Sequence, residues 1–115
     1  MQNANEWPDE LDALIAAPAH HKLLMENEHV RVLETCIPAG EITPVHTHRW
    51  PCSAYLISWS DFIRRDADGA VLADSRNGNG VAEGSAFWSP PFPPHTVENV
   101  GSKELRVISV EIKTE

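Results

Sequence analysis

His46 and His48 sit two apart in the stretch GEITPVHTHRWPCSAY, residues 40–55. In an extended chain, side chains at i and i+2 lie on one face, so both imidazoles can point into one cavity. A third histidine, His95, opens another strand-like segment about fifty residues later. Three imidazoles from two neighbouring strands would offer a transition metal a face of three nitrogens and leave positions for water or substrate. Taken alone, a His-x-His pair on a strand is more often a surface pair than a metal site. His20, His21 and His29 lie in polar early segments, and the adjacent pair His20-His21 points to opposite faces if extended. All three read as solvated.

Cys52 follows closely and has two readings. As a thiolate it would be a fourth, soft ligand favouring Zn or Cu(I), closing the site against substrate. As a thiol it is a small apolar residue behind Pro51, and this is preferred, because ligation needs a lowered pKa. Trp50, Trp88, Phe87 and Phe92 are candidates for pocket walls, with barrel core or a dimer interface as the competing role. Arg64 and Arg65 are neighbours on one strand, so only one can face the cavity; an inward arginine would bind a carboxylate with two parallel hydrogen bonds. By strand parity Tyr55 and Glu98 face away from the metal. There is no G-x-S-x-G, P-loop or G-x-G-x-x-G, and the NGNG run 77–80 is a turn former with no helix behind it.

The elements that must position these residues are mostly strands. Pro8, Asp9, Glu10 and Asp12 suit a helix start, and Trp7, Leu11, Leu14 and Ile15 recur at helical spacing, which predicts a helix over about 8–16. Beyond Pro18 the pattern becomes period two or short apolar runs. Strands are predicted over 21–26, 29–37, 41–48, 53–59, 61–66, 70–74, 81–84, 85–89, 95–100 and 105–113, with the Pro-rich run 90–94 between two of them. Roughly ten short strands and one helix indicate an all-β sandwich or barrel. No linker or repeat divides the chain, which reads as one domain over 1–115 with its barrel at about 20–113.

With a formal net charge of −8 over 115 residues, neither a nucleic-acid groove nor an anionic membrane surface is expected. No apolar run reaches the ~20 residues of a membrane span, and the first ten residues lack the pattern of a secretory signal. A cytoplasmic chain with Cys36 and Cys52 reduced is the expectation.

The chain resembles the cupin superfamily. Gly40, His46 and His48 match the first cupin motif, and Gly84, Pro90, His95 and Asn99 match the second, in order and with suitable separation. The lead-in VRVLE and the closing strand VEIK also resemble small cupins, including the group named for β-alanine degradation. Three motif positions differ: Cys52 stands where the first motif has a glutamate, Trp59 where it has a glycine, and Phe92 where the second has a glycine. The resemblance implies a double-stranded β-helix (jelly-roll) barrel, commonly a homodimer, with a metal inside the barrel mouth. It implies His46, His48 and His95 as ligands of a divalent transition metal (Fe, Zn, Ni or Mn), with Asn99, near a turn, as a further pocket candidate. Since cupin thiol dioxygenases hold iron with three histidines and no carboxylate, the implied chemistry is a dioxygenase acting on a small polar, carboxylate or thiol substrate. The alternative is a non-catalytic module that binds or senses a small ligand, its metal structural or absent.

Overall fold

The computed structural model describes residues 6–78 and 80–113. Nine strands run in chain order: β1 (His21–Glu26), β2 (Val30–Ile37), β3 (His46–His48), β4 (Cys52–Ser58), β5 (Phe62–Asp66), β6 (Val71–Asp74), β7 (Ala86–Ser89), β8 (Phe92–Asn99) and β9 (Leu105–Ile112). They form two antiparallel sheets, β1-β2-β9-β4-β7 and β3-β8-β5-β6. The chain passes repeatedly between the sheets, and the inward faces of both enclose one apolar interior. Ile37, Leu56 and Leu105 are buried within it, with Trp59, Phe62, Val97 and Val107 packed around them.

Most predicted strands are present within one or two residues. The exceptions have local causes. Residues 41–45 are extended but join the sheet only through an Ile42–Glu98 bridge, so β3 is confined to three residues. Residues 81–84 are a loop, held by the Glu83 carboxylate, which accepts from the Trp59 backbone N–H at 2.8 Å. Conversely β8 begins inside the Pro-rich run, at Phe92, because a register shift opposite β3 takes up Pro93 and Pro94, which have no N–H to give the ladder.

The predicted N-terminal helix is broken in two. A 3-10 turn, Asp9–Leu11, precedes a single helical turn, α1 (Ala13–Ala16), because Asp12 between them is extended. Its backbone forms a parallel bridge with Thr47 of β3, and its side chain accepts from Leu14 N–H to cap α1. The break turns the apolar face, so Trp7, Ala13 and Ala17 are buried while Ile15 is 62% exposed. No helix among the described residues is long and apolar enough to cross a membrane.

Candidate metal centre

The site is built first by strand register. His46 lies opposite His95 across the β3–β8 ladder, and His48 lies opposite Phe92. Each of the facing histidines follows a proline by two residues and bonds to its carbonyl: His46 Nδ1 to Pro44 O at 2.8 Å, and His95 Nδ1 to Pro93 O at 2.7 Å. A carbonyl oxygen only accepts, so each ring carries its proton on Nδ1 and keeps the Nε2 lone pair free.

His21 arrives from the opposite sheet. It is the first residue of β1 and that strand's one buried residue, and its Nδ1 donates to Ala17 O at 3.0 Å. One ligand atom from each of His21, His46 and His48 can be chosen so that all three lie within 4.8 Å of one another. His95 adjoins this group, its ring centroid 4.4 Å from that of His46 and 5.8 Å from that of His48. The expectation that His20 and His21 are solvated is therefore corrected. Ala17 is fully buried and carries the chain into the barrel wall, so His21 turns inward while His20 turns the other way, buried with Nε2 2.9 Å from Glu41 Oε1. His29 is exposed, as expected.

His48 is held differently. Its Nδ1 donates to Glu111 Oε2 at 3.0 Å, and Glu111 Oε1 accepts from Arg31 Nε at 2.7 Å. Arg31 in turn grips Asp12 with two parallel bonds of 2.9 Å. A continuous buried network thus runs from the cap of α1 to a ring of the site. Burial pushes the Asp12 carboxyl up, but its bonds to Arg31 outweigh this and hold it below the usual carboxylate range. Burial pushes Glu111 up, and the Arg31 charge offsets only part of that. Glu111 is also the β9 register partner of Cys52. The carboxylate missing from the first motif has a counterpart one strand away, where it orients a histidine.

All four rings are kept neutral. Burial, then the neighbouring rings, pushes His21 and His48 down to about 3 and His95 to about 2. Burial lowers His46 in the same direction. Neutral imidazoles are the form that ligates, and such a donor set suits divalent transition metals such as Zn, Fe and Ni.

The rings face a cavity of about 220 Å³ that extends toward Ile37, Leu56 and Leu105. Trp50, Cys52, Arg64, Phe87 and Phe92 line it. Burial and the Glu111 charge push the Cys52 thiol up to about 11, the opposite of the shift a thiolate ligand needs, and Cys52 is outside the three-histidine group. Two candidates do not line the cavity. Trp88 is on the outer face of β7, 61% exposed, since strand alternation gives the inner positions to Phe87 and Ser89. Asn99 is buried at the far end of β8, where its side chain bonds to Ser60 Oγ, Ile37 O, Lys103 O and Gly101 N and ties two loops to the end of β2. Arg64 points inward, and Arg65 outward to Glu98 at 2.8 Å. Tyr55 is exposed, as parity requires.

Sequence reading missed His21, Arg31 and Glu111. The usable signal for Glu111 was an acidic residue in strand 105–112 on the same parity as Leu105 and Val107, which places it inside.

No family model matches the chain, and no curated protein matches it. Solved structures do. A cupin domain from Bordetella pertussis Tohama I superposes with a TM-score of 0.66 at 21% identity, covering 82% of this chain and 92% of that one. An RmlC-like cupin family protein with a double-stranded β-helix fold, from Methanocaldococcus jannaschii, gives 0.56 at 20% identity over 80% and 77%. The polyketide cyclase RemF from Streptomyces resistomycificus gives 0.52 at 20% identity over 80% and 63%. At these identities the likeness speaks for the fold alone, and it agrees with the two-sheet barrel: the chain has the cupin double-stranded β-helix fold.

Proposed function

We propose that this protein is a metal-dependent small-molecule cupin, with His46, His48 and His95 as ligands and His21 completing the set. One observation carries the reading: four inward imidazoles each have Nδ1 tied to a carbonyl or carboxylate, which leaves four Nε2 lone pairs free. Interior histidines held for packing have no need of so consistent a tautomer.

The chain's own groups would bind and orient. Glu111 holds the proton on His48 Nδ1, the prolines hold those of His46 and His95, and the aromatic walls exclude water. Among the described residues lining the cavity there is no Asp or Glu, and the Cys52 thiol is held protonated, so a general base is not evident. A bound metal would supply Lewis-acid or dioxygen chemistry in a dry cavity. Oxidation of a small polar, carboxylate or thiol substrate by a histidine-bound iron is the reaction class that asks least of the side chains. The same lack of a base supports a second reading, a non-catalytic small-ligand binder.

Metal analysis of chelator-free protein decides the first point: near one equivalent is expected, and under about a tenth, unchanged after adding Fe(II) or Zn(II), would overturn it. Oxygen uptake over a panel of thiols, amino acids and short carboxylates then separates the two readings. No uptake by iron-loaded protein would favour the binder. We further infer a cytoplasmic homodimer; exposed Leu23, Leu24 and Met25 on edge strand β1 support the pairing, and light scattering tests it.

A further inference from the structure

The chain has six arginines, and five of them face an acid. Arg31 pairs with Asp12 and Glu111, Arg49 with Asp9, Arg65 with Glu98, Arg76 with Asp74 and Arg106 with Glu34. Arg64 has no hydrogen bond and no acidic partner among the described residues, although the chain holds 17 Asp and Glu. Its Nε is buried without a partner. Its guanidinium lies over the Phe92 ring at 4.3 Å and near the Phe62 ring at 5.4 Å, on the wall of the histidine cavity.

Ring faces attract a cation but cannot accept its N–H bonds. They recover only part of the hydration that burial removes, so the guanidinium is left with donors unspent. The sequence could have put an acid there, as it did for every other arginine, and did not. No Asp or Glu among the described residues lining the cavity can offset the guanidinium charge.

We propose that Arg64 is the anion-recognition residue of this cavity and that the ligand is a small carboxylate with an apolar body. A planar carboxylate matches the guanidinium fork, and the apolar remainder would lie against Leu56, Val97 and Val107. A phosphate dianion fits less well, because the cavity wall offers no lysine and no second arginine. The inference deepens the proposed function and rests on its reading of the cavity as the ligand site, but it does not need a metal to be present.

The test uses two variants and metal-free as well as metal-loaded protein. The probes are hexanoate and benzoate, each against its amide, followed by calorimetry and thermal shift. Wild type is expected to prefer each carboxylate over its amide by about ten- to a hundredfold, in both metal states, and Arg64→Gln to lose that preference. Arg64→Leu is expected to melt higher than ligand-free wild type, since it removes an unpaired charge. A lower melting temperature for Arg64→Leu would assign Arg64 to packing and overturn the proposal. So would equal binding of acids and amides, no binding of any probe at 10 mM, or a carboxylate preference that survives Arg64→Gln. A preference that disappears on chelation with Arg64 intact would place the anion on the metal, overturning this inference while leaving the metal reading. An Arg64-dependent preference in protein that binds no metal would do the reverse.

Discussion

Glu111 Oε2 accepts the Nδ1 proton of His48 at 3.0 Å, from a strand in the opposite sheet. The bond joins the two halves of the barrel at the site itself. It makes the ring's orientation depend on a carboxylate that is 1% exposed and is itself held by Arg31.

Glu111→Gln should therefore weaken metal binding by ten- to a hundredfold, as is usual when the partner of a ligating histidine is lost. It should also destabilise the fold by about 3 kcal/mol, because Arg31 loses one of its two buried acids. Chelator competition and urea unfolding measure the two effects separately. An unchanged metal affinity would remove Glu111 from the site.

His21→Ala and Cys52→Ser form a matched pair. The first should lower metal affinity by at least about tenfold, and the second should leave it unchanged, since Cys52 lies outside the three-histidine group. The reverse ranking would restore the thiolate ligand and exclude His21.

Metal-free protein should lose stability in mild acid. The folded-state values of His21, His48 and His95 lie at about 3, 3 and 2, below the ordinary 6.5. Between those limits the unfolded chain binds more protons than the native one, so acid favours unfolding. The contribution is fully present above pH 6.5 and is lost progressively as pH falls toward 3. Thermal midpoints should be level from pH 8 to 7 and decline from pH 6 to 5. A level profile to pH 5 would mean that the rings accept protons without cost.

Asn99→Ala should cost about 3 kcal/mol, because it strands buried groups on two loops and at the end of β2. Metal affinity should be unaffected, since Asn99 lies outside the cavity. Loss of metal with the fold intact would contradict this.

The fold and the His46–His48–His95 frame were legible because strand parity and motif spacing are properties of the chain itself. His21 was not, because an adjacent His-His pair has no evident inside until α1 and the 17–20 turn fix which ring faces the barrel. Arg64 could be narrowed to one of two neighbours, and only packing chose between them. Glu111 lay 80 residues from Arg31, and no periodicity links such distant partners. The helix over 8–16 is present but divided at Asp12, whose tertiary bond to Arg31 and bridge to Thr47 override local helical preference.

The bonds from His46 to Pro44 and from His95 to Pro93 carry a consequence for metal selection. Together with the bonds of His21 to Ala17 and His48 to Glu111, they fix every ring and tautomer from within the protein, so the proposed receptacle would be complete before any ion enters. Folding and loading are then separate events, unlike in a zinc finger, where the ion drives the chain to fold. A receptacle of neutral nitrogens ranks divalent ions in the general affinity series, with copper ahead of nickel, zinc and iron. Which ion the proposed site holds would then be decided by the supply around the finished barrel more than by the barrel.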